Sequence, residues 1–174
     1  MIFAQTLEKR REIRRYSKMA VDFNGFLRAD GLAEGAIELV CVEKRPGDMI
    51  RKYAPSYHFA IKVNGERVGD ITLRVGYTKS LYYSGQIGYA IDGPHRGNGY
   101  AGIACRLMIP LMLSHAMTKV LITNNHDNIA SKRVCEKLGA KLLRVVKIPR
   151  WHEMYDSGER YKNIFEWDVA AAAN

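Results

Sequence analysis

Gln86 to Ala101 reads QIGYAIDGPHRGNGYA, and the fold turns on this stretch. Ile87, Tyr89 and Ile91 alternate with Gly88 and Ala90, the period of a strand. Asp92-Gly93-Pro94 breaks that period with a turn signal. Arg96-Gly97-Asn98-Gly99 follows, and Ile103, Leu107, Met108 and Leu111 then recur at helical spacing. A strand therefore feeds a glycine-rich turn that opens a helix. The first amides of a helix have no partners within it and carry the positive end of its dipole. Gly97 and Gly99 bring no Cβ, so a phosphate could approach the backbone closely. The same residues would also serve as a tight strand-to-helix turn with no ligand. The pattern is not the dinucleotide fingerprint G-x-G-x-x-G, and it is not a P-loop, because no Gly-Lys-Ser/Thr follows.

Composition sets the frame around it. A chain of 174 residues with 47% hydrophobic residues is long enough for one domain with its own core. No apolar run approaches bilayer length, so no membrane is expected. Lys9, Arg10, Arg11, Arg14 and Arg15 stand where the apolar region of a signal peptide would lie. Cys41, Cys105 and Cys135 are widely spaced, odd in number and form no metal pattern. They read as buried thiols in a reducing, cytoplasmic protein with no metal. The formal net charge of +9 suits an anionic ligand or partner, and scattered charge for solubility accounts for it equally.

Outward from the deciding stretch, the elements follow from period and punctuation. Residues 1–20 read as a helix with a basic face, with Ile13, Tyr16 and Ala20 at helical spacing. Residues 1–30 are expected to form a basic helical extension packed on a domain of residues 31–174. Phe23 to Gly35 reads as a loop with a helical turn, Ala36 to Lys44 as a strand, and Asp48 to Tyr53 as a short helix stopped by Pro55. Tyr57–Val63 and Arg67–Val75 read as strands joined at Asn64-Gly65, a strong hairpin signal. Gly76 to Gly85 is a polar loop with Tyr82 and Tyr83 half-buried. The helix from Asn98 to Lys119 contains Pro110 and should bend one turn before it. Val120 to Thr123 reads as a buried strand, and Asp127 or Asn128 caps a helix over Ile129–Leu138 that Gly139 stops. Lys141–Ile148 and Arg160–Val169 are strands around an aromatic, polar loop, Pro149–Gly158, and residues 170–174 form a frayed tail.

Arg96, Gly99 and Ala101 fill the fixed positions of Gln/Arg-x-x-Gly-x-Gly/Ala, between a strand and a helix. Further on, Asn128-Ile-Ala-Ser131 opens a short helix that ends Lys137-Leu138-Gly139. Both stretches, in this order and spacing, resemble the signatures of the GNAT superfamily of acyl-CoA N-acyltransferases. Leu73-Arg74 and Gly85-Gln86-Ile87-Gly88-Tyr89 resemble one branch of it, and the resemblance covers roughly residues 57–169. It implies an α/β GNAT fold whose central sheet is mixed, mostly antiparallel and flanked by helices. A splay between the strand ending at Ile91 and the strand Val120–Thr123 would admit the cofactor. It implies acetyl-CoA as co-substrate. Backbone groups of Tyr89, Ala90 and Ile91 would hold its pantetheine arm, with one amide polarising the thioester carbonyl. Arg96, Gly97, Asn98, Gly99, Tyr100, Ala101 and Gly102 would wrap the pyrophosphate. Asn128 would bond the pantetheine chain with help from Ser131, although both could simply cap the helix.

The sequence departs from the family at its usual catalytic positions. Where many relatives carry a tyrosine acid, seven residues after the asparagine, this chain has Cys135. A carboxylate commonly found five residues before the asparagine is Thr123 here, and the strand glutamate of other relatives is Gln86. Cys135, His126 and Tyr89 are the substitute candidates for acid and base work. Each has a plainer reading, as a core thiol, a loop cap and a packing ring. In relatives the loop at Pro149–Gly158 closes over the acceptor, so Trp151, His152, Glu153 and Tyr155 are candidates to recognise an amine. The expected function is transfer of an acetyl group to a primary amine of a small molecule or peptide, by direct attack in a ternary complex. The alternative is a non-catalytic acyl-CoA sensor. A nucleic-acid partner for the basic helix is the minority reading, because only Tyr16 interrupts the charge run as an aromatic. Family members often pair as homodimers.

Overall fold

The computed structural model describes residues 2–19, 21, 23–48, 50, 51 and 53–173. Helix α1 (Ile2–Ser17) leads into strands β1 (Leu32–Glu34), β2 (Ile37–Arg45), β3 (Ser56–Val63) and β4 (Glu66–Arg74). The short helix α2 (Leu81–Ser84) precedes β5 (Ile87–Ile91). Helices α3 (Tyr100–Leu107) and α4 (Ile109–Ser114) lead to β6 (Lys119–Asn125) and α5 (Ile129–Lys137). Strand β7 (Lys141–Lys147), the one-turn α6 (Glu153–Asp156), β8 (Tyr161–Asp168) and α7 (Val169–Ala172) complete the chain.

The strands form one sheet in the order β1-β2-β3-β4-β5-β6-β8-β7. Every neighbouring pair is antiparallel except β5 and β6, which are parallel and share a single register pair, Ile87 with Ile122. This is the mixed, mostly antiparallel sheet with a splay that the sequence led us to expect. Alternation along the strands sends Val120, Ile122, Phe165 and Trp167 to one face, where they join Ala104, Cys105, Met108 and Cys135 in the main core. Leu121, Val146 and Ile164 point to the other face and pack with Tyr16 of α1 and with Tyr82 and Tyr83 of α2. Helices α3 and α5 thus cover one face, and α1 covers the β6-β8-β7 half of the other.

The minority charges of α1 dock it. Glu12 pairs with Arg144 of β7 at 2.5 Å and accepts a hydrogen bond from the Tyr82 hydroxyl. Arg15 and the Tyr16 hydroxyl both meet Glu166 of β8. Arg10 and Arg11 stay exposed. Ala20, one of the expected helical positions, lies outside the described residues.

Several local expectations need correction. Residues 23–35 contain β1, a three-residue edge strand, not a helical turn. Asp48 and Tyr53 exchange backbone hydrogen bonds of 2.9 Å, so that segment is a strand-like turn and not a helix; residues 49 and 52 lie outside the described residues. The loop at 76–85 holds α2, and its Tyr82 and Tyr83 are fully buried, because α1 closes over them. The long helix at 98–119 is two helices that break at Met108, and Pro110 sits in the first turn of α4, where its missing N–H costs nothing. The second helix ends at Ser114, and β6 begins at Lys119. Residues 169–172 form α7, capped by Asp168, where a frayed tail was expected; Asn174 lies outside the described residues.

Candidate functional site

The site begins where β5 leaves β6. Gly85 has φ +72, and a Cβ there would lie 2.9 Å from the Leu121 carbonyl oxygen, so only glycine lets the two chains meet this closely. Gln86 closes the junction. Its amide nitrogen donates to Gly76 O at 2.9 Å, its side-chain oxygen accepts from Leu121 N at 2.7 Å, and its backbone N–H reaches Leu121 O. Beyond Ile87 the strands part. Asp92 N donates to Val68 O on the β4 side, and alternation then turns the backbone groups of Tyr89 and Ile91 towards the opening. Ala90, expected to share that task, turns its own amide and carbonyl to β4.

The glycine-rich turn follows directly. Gly97 has φ +84, and Gly99 sits at φ +78 as the residue that opens α3. Among the described residues, the amides of Gly97, Asn98, Gly99, Tyr100 and Ala101 donate to no group of the protein, whereas Gly102 N returns to Gly99 O. A Cβ at Gly97 or Gly99 would meet nothing within 4 Å, so these glycines supply backbone conformation and an open approach. Arg96 braces the turn by donating from Nε to Ile91 O at 2.9 Å, and the side-chain Nδ2 of Asn98 donates to His95 O at 3.0 Å. Five unpaired N–H groups at the positive end of a helix are a donor set that could hold phosphate oxygens.

Helix α5 stands across the opening. Asn128 Oδ1 caps it by accepting Ser131 N at 3.0 Å, so the capping role is realised. The Tyr89 hydroxyl lies 2.8 Å from Ser131 Oγ. Behind Tyr89 is Cys135, fully buried. Burial pushes the Cys135 thiol up to about 12 and also raises the Tyr89 phenol, so both stay protonated at neutral pH. Asn124 Nδ2 points at Cys135 Sγ at 3.6 Å, and Asn163 Nδ2 donates to Asn124 Oδ1 at 2.8 Å. Asn163 Oδ1 lies 3.3 Å from His126 Nδ1, which assigns that nitrogen the proton and leaves Nε2 open. His126 and Cys135 therefore belong to one hydrogen-bonded network, and Tyr89 lies beside its Cys135 end. The sequence reading missed its two asparagines, although Asn124 and Asn163 are register partners on β6 and β8.

The loop at 149–158 rests on α2. His152 is buried, with Nε2 3.1 Å from Ser80 Oγ and Nδ1 accepting Met154 N, so it is an internal cap and not a group that faces an acceptor. Trp151 is exposed beneath the Lys79 ammonium, Glu153 accepts from the Tyr53 hydroxyl at 3.0 Å, and Tyr155 stacks on Arg160. On the sheet face below, Thr72 lies between His58 and Gly88 in the register. His58 bonds Ser56 Oγ and Thr72 Oγ1 at 3.0 and 3.2 Å. Among the described residues no group of three or more His, Cys, Asp or Glu side chains is placed to hold a metal ion, and no helix is long and apolar enough to cross a membrane.

Known proteins share this fold. Residues 42–141 match the family model of the acetyltransferase (GNAT) domain. No curated protein matches the sequence. Among solved structures, the microcin C7 self-immunity acetyltransferase MccE, in complex with acetyl-CoA and AMP, superposes with TM-score 0.51 at 19% identity. That match covers 64% of this chain and 59% of MccE. RimL, a ribosomal L7/L12 alpha-N-protein acetyltransferase in complex with coenzyme A, gives TM-score 0.52 at 18% identity, over 70% of this chain and 66% of RimL. Mycobacterium smegmatis RimJ gives 0.52 at 20%, over 67% and 58%. The chain thus spans less than two thirds of the length of each, and these likenesses show a shared fold.

Proposed function

Because the chain belongs to the GNAT acetyltransferase family, we propose that it transfers an acetyl group from acetyl-CoA to a primary amine held against strand β5. The observation that carries this reading is the run of five unpaired amides, Gly97 to Ala101, beside a strand edge left open past Ile87. Both features fit coenzyme A, whose pyrophosphate suits the cradle and whose amide-bearing arm suits an unpaired strand edge. When bound, acetyl-CoA supplies an acetyl thioester: the C–N bond forms as the C–S bond breaks, one proton leaves nitrogen and one reaches sulfur.

The residues divide this work. Backbone groups of Tyr89 and Ile91 would orient the arm, and the Tyr89 amide would polarise the thioester carbonyl. The hydroxyl expected at position 135 comes instead from strand β5. Cys135 is short and buried, and the Tyr89 O–H extends to Ser131 over it. Tyr89 supplies the proton for the sulfur, Cys135 and Asn124 hold the ring, and His126 anchors the end of the asparagine pair. Positioning carries much of the rate in such a site. The three free thiols fit a reducing, cytoplasmic setting.

A second reading, acyl-CoA binding without turnover, draws on Gln86. Its amide is consumed by Gly76 and Leu121, so it stands in for no general base. One assay separates the two. The protein is mixed with acetyl-CoA and a panel of primary amines, and the freed thiol and acetylated amine are measured. Amine-dependent release of thiol is the expected result. Tight binding of acetyl-CoA with no release across the panel would replace the first reading with the second.

A further inference from the structure

Arg74 ends β4 on the sheet face opposite α3 and α5, beside the open part of β5. Its neighbours Leu73 and Val75 enter the main core, so alternation sends Arg74, Thr72 and Gly88 to the outer face together. The guanidinium lies over Gly88. A Cβ on Gly88 would be 3.3 Å from Nη1 and 3.6 Å from Nη2 of Arg74. Among the described residues one hydrogen bond holds the group, from Nη1 to Gly85 O at 3.3 Å. Among the described residues no carboxylate pairs with it, whereas Arg15, Arg28, Arg45, Arg67 and Arg144 all have one. The negative field of Glu153 reaches it, but that carboxylate accepts from Tyr53. Burial lowers the pKa of the Arg74 guanidinium, the sign of a cation held short of water. A planar, half-buried cation with most of its donors unspent matches a carboxylate in shape and charge.

Its place puts it beside the opening. Gly88 is one residue, roughly 3.3 Å of strand, from Tyr89, whose backbone faces the opening. An anion on Arg74 would therefore sit a few bonds from an amine placed to attack there. Glu43 and Glu153 near this face disfavour a dianion such as a phosphate monoester. We propose that the outer face of β3–β5 is an acceptor subsite in which Arg74 binds the carboxylate of a short amino acid, with its amine directed at the opening beside Tyr89. The position of the amine rests on the acetyl-transfer reading above; the carboxylate contact does not.

The probes are glycine, β-alanine and γ-aminobutyrate, each against the alkylamine lacking the carboxylate. First, each is titrated into the full-length, amide-labelled protein without acetyl-CoA, and the Gly85 and Gly88 amide signals are followed. At least one amino acid should give a saturable shift that its alkylamine does not, weakened in Arg74→Lys and lost in Arg74→Gln. The remaining signals of each variant report whether it is folded. No saturable shift with any amino acid overturns the proposal, whether or not the protein acetylates amines. Second, kcat/KM is compared for each pair. The best amino acid should exceed its alkylamine by about tenfold or more, the scale of one charged hydrogen bond. That ratio should fall near one in Arg74→Gln, with the KM for acetyl-CoA unchanged. Equal values for every pair in the wild type also overturn the proposal, while shifts without turnover would fault the transfer reading alone.

Discussion

The hydroxyls of Tyr89 on β5 and Ser131 on α5 lie 2.8 Å apart and tie the open strand to the helix across the cleft. Tyr89→Phe keeps the ring and removes the O–H. If Tyr89 supplies the proton for the sulfur, kcat should fall by about 100-fold, within the usual range for a general acid. The KM for acetyl-CoA should hardly move, and stability should drop by about 1 kcal/mol for the lost hydrogen bond. Steady-state kinetics and urea unfolding check this. An unchanged kcat would assign Tyr89 to packing alone.

Gly99 separates backbone strain from charge. At φ +78 any side chain is strained, yet a Cβ there meets nothing within 4 Å. Gly99→Ala carries the strain only, about 1–2 kcal/mol. Gly99→Asp adds a negative charge among the five open amides. Acetyl-CoA should bind Gly99→Asp at least about tenfold more weakly than Gly99→Ala, a difference of about 1.4 kcal/mol. Equal affinities in a titration would move the pyrophosphate away from this turn.

Gln86→Glu would place in this chain the strand glutamate that the family resemblance implies for other relatives. The expected result is damage. A glutamate can still accept from Leu121 N, but its second oxygen would face the Gly76 carbonyl oxygen without a donor. The loss should be about 1–3 kcal/mol. Burial raises a carboxyl pKa in the fold, so the deficit should be small below about pH 4 and grow as the pH rises above it. Denaturant midpoints of wild type and variant at several pH values test the slope. A variant as stable as wild type at pH 8 would show that the junction does not need the amide.

His58 provides a test on the acid side. Burial lowers its pKa first, then the positive field of Arg45; Glu43 opposes them, and Arg74 adds the smallest lowering effect. Its folded pKa thus lies below the ordinary value of about 6.5. As the pH falls through 6.5 the unfolded chain takes the proton first, so the contribution of His58 to stability is present above that pH and is lost below it. His58→Gln should flatten the decline in unfolding midpoint between about pH 7 and pH 5. Parallel slopes for wild type and variant would mean that the ring titrates normally in the fold.

Local chemistry made much of this molecule readable in advance. The strand-turn-helix at 86–101 follows from period and glycine placement. Asn64 and Gly65 adopt φ of 51 and 83, as their hairpin turn requires. Asn128 caps α5, and Gly139 leaves the helix at φ +77. What escaped the sequence depends on distant partners. Strand β1 has three residues and exists because β2 offers an edge. Tyr82 and Tyr83 look half-exposed until α1, about 70 positions earlier, covers them. Asn124 and Asn163 meet from 39 positions apart through the β6–β8 register. Arg74 gave itself away only as half of a Leu-Arg pair, and its unpaired guanidinium is visible only in three dimensions. His152 failed in the opposite way, because a polar ring in an aromatic loop reads as exposed until its Ser80 partner is known.

The single rung between Ile87 and Ile122 has a mechanical consequence. A full ladder fixes the angle between two strands by hydrogen bonds, whereas one rung leaves that angle to whatever is wedged beside it. The aperture of this protein is therefore a packing variable. Gly85 and Gln86 form its spine, and the side chains at 87, 89 and 122 set how wide it stands. One added methyl at Gly85 would meet Leu121 O at 2.9 Å and pry the spine itself. Changes of core volume further out would retune the width with every catalytic group left in place. Chains built this way can drift towards bulkier acyl donors through the quietest class of substitution, the exchange of one buried apolar residue for another.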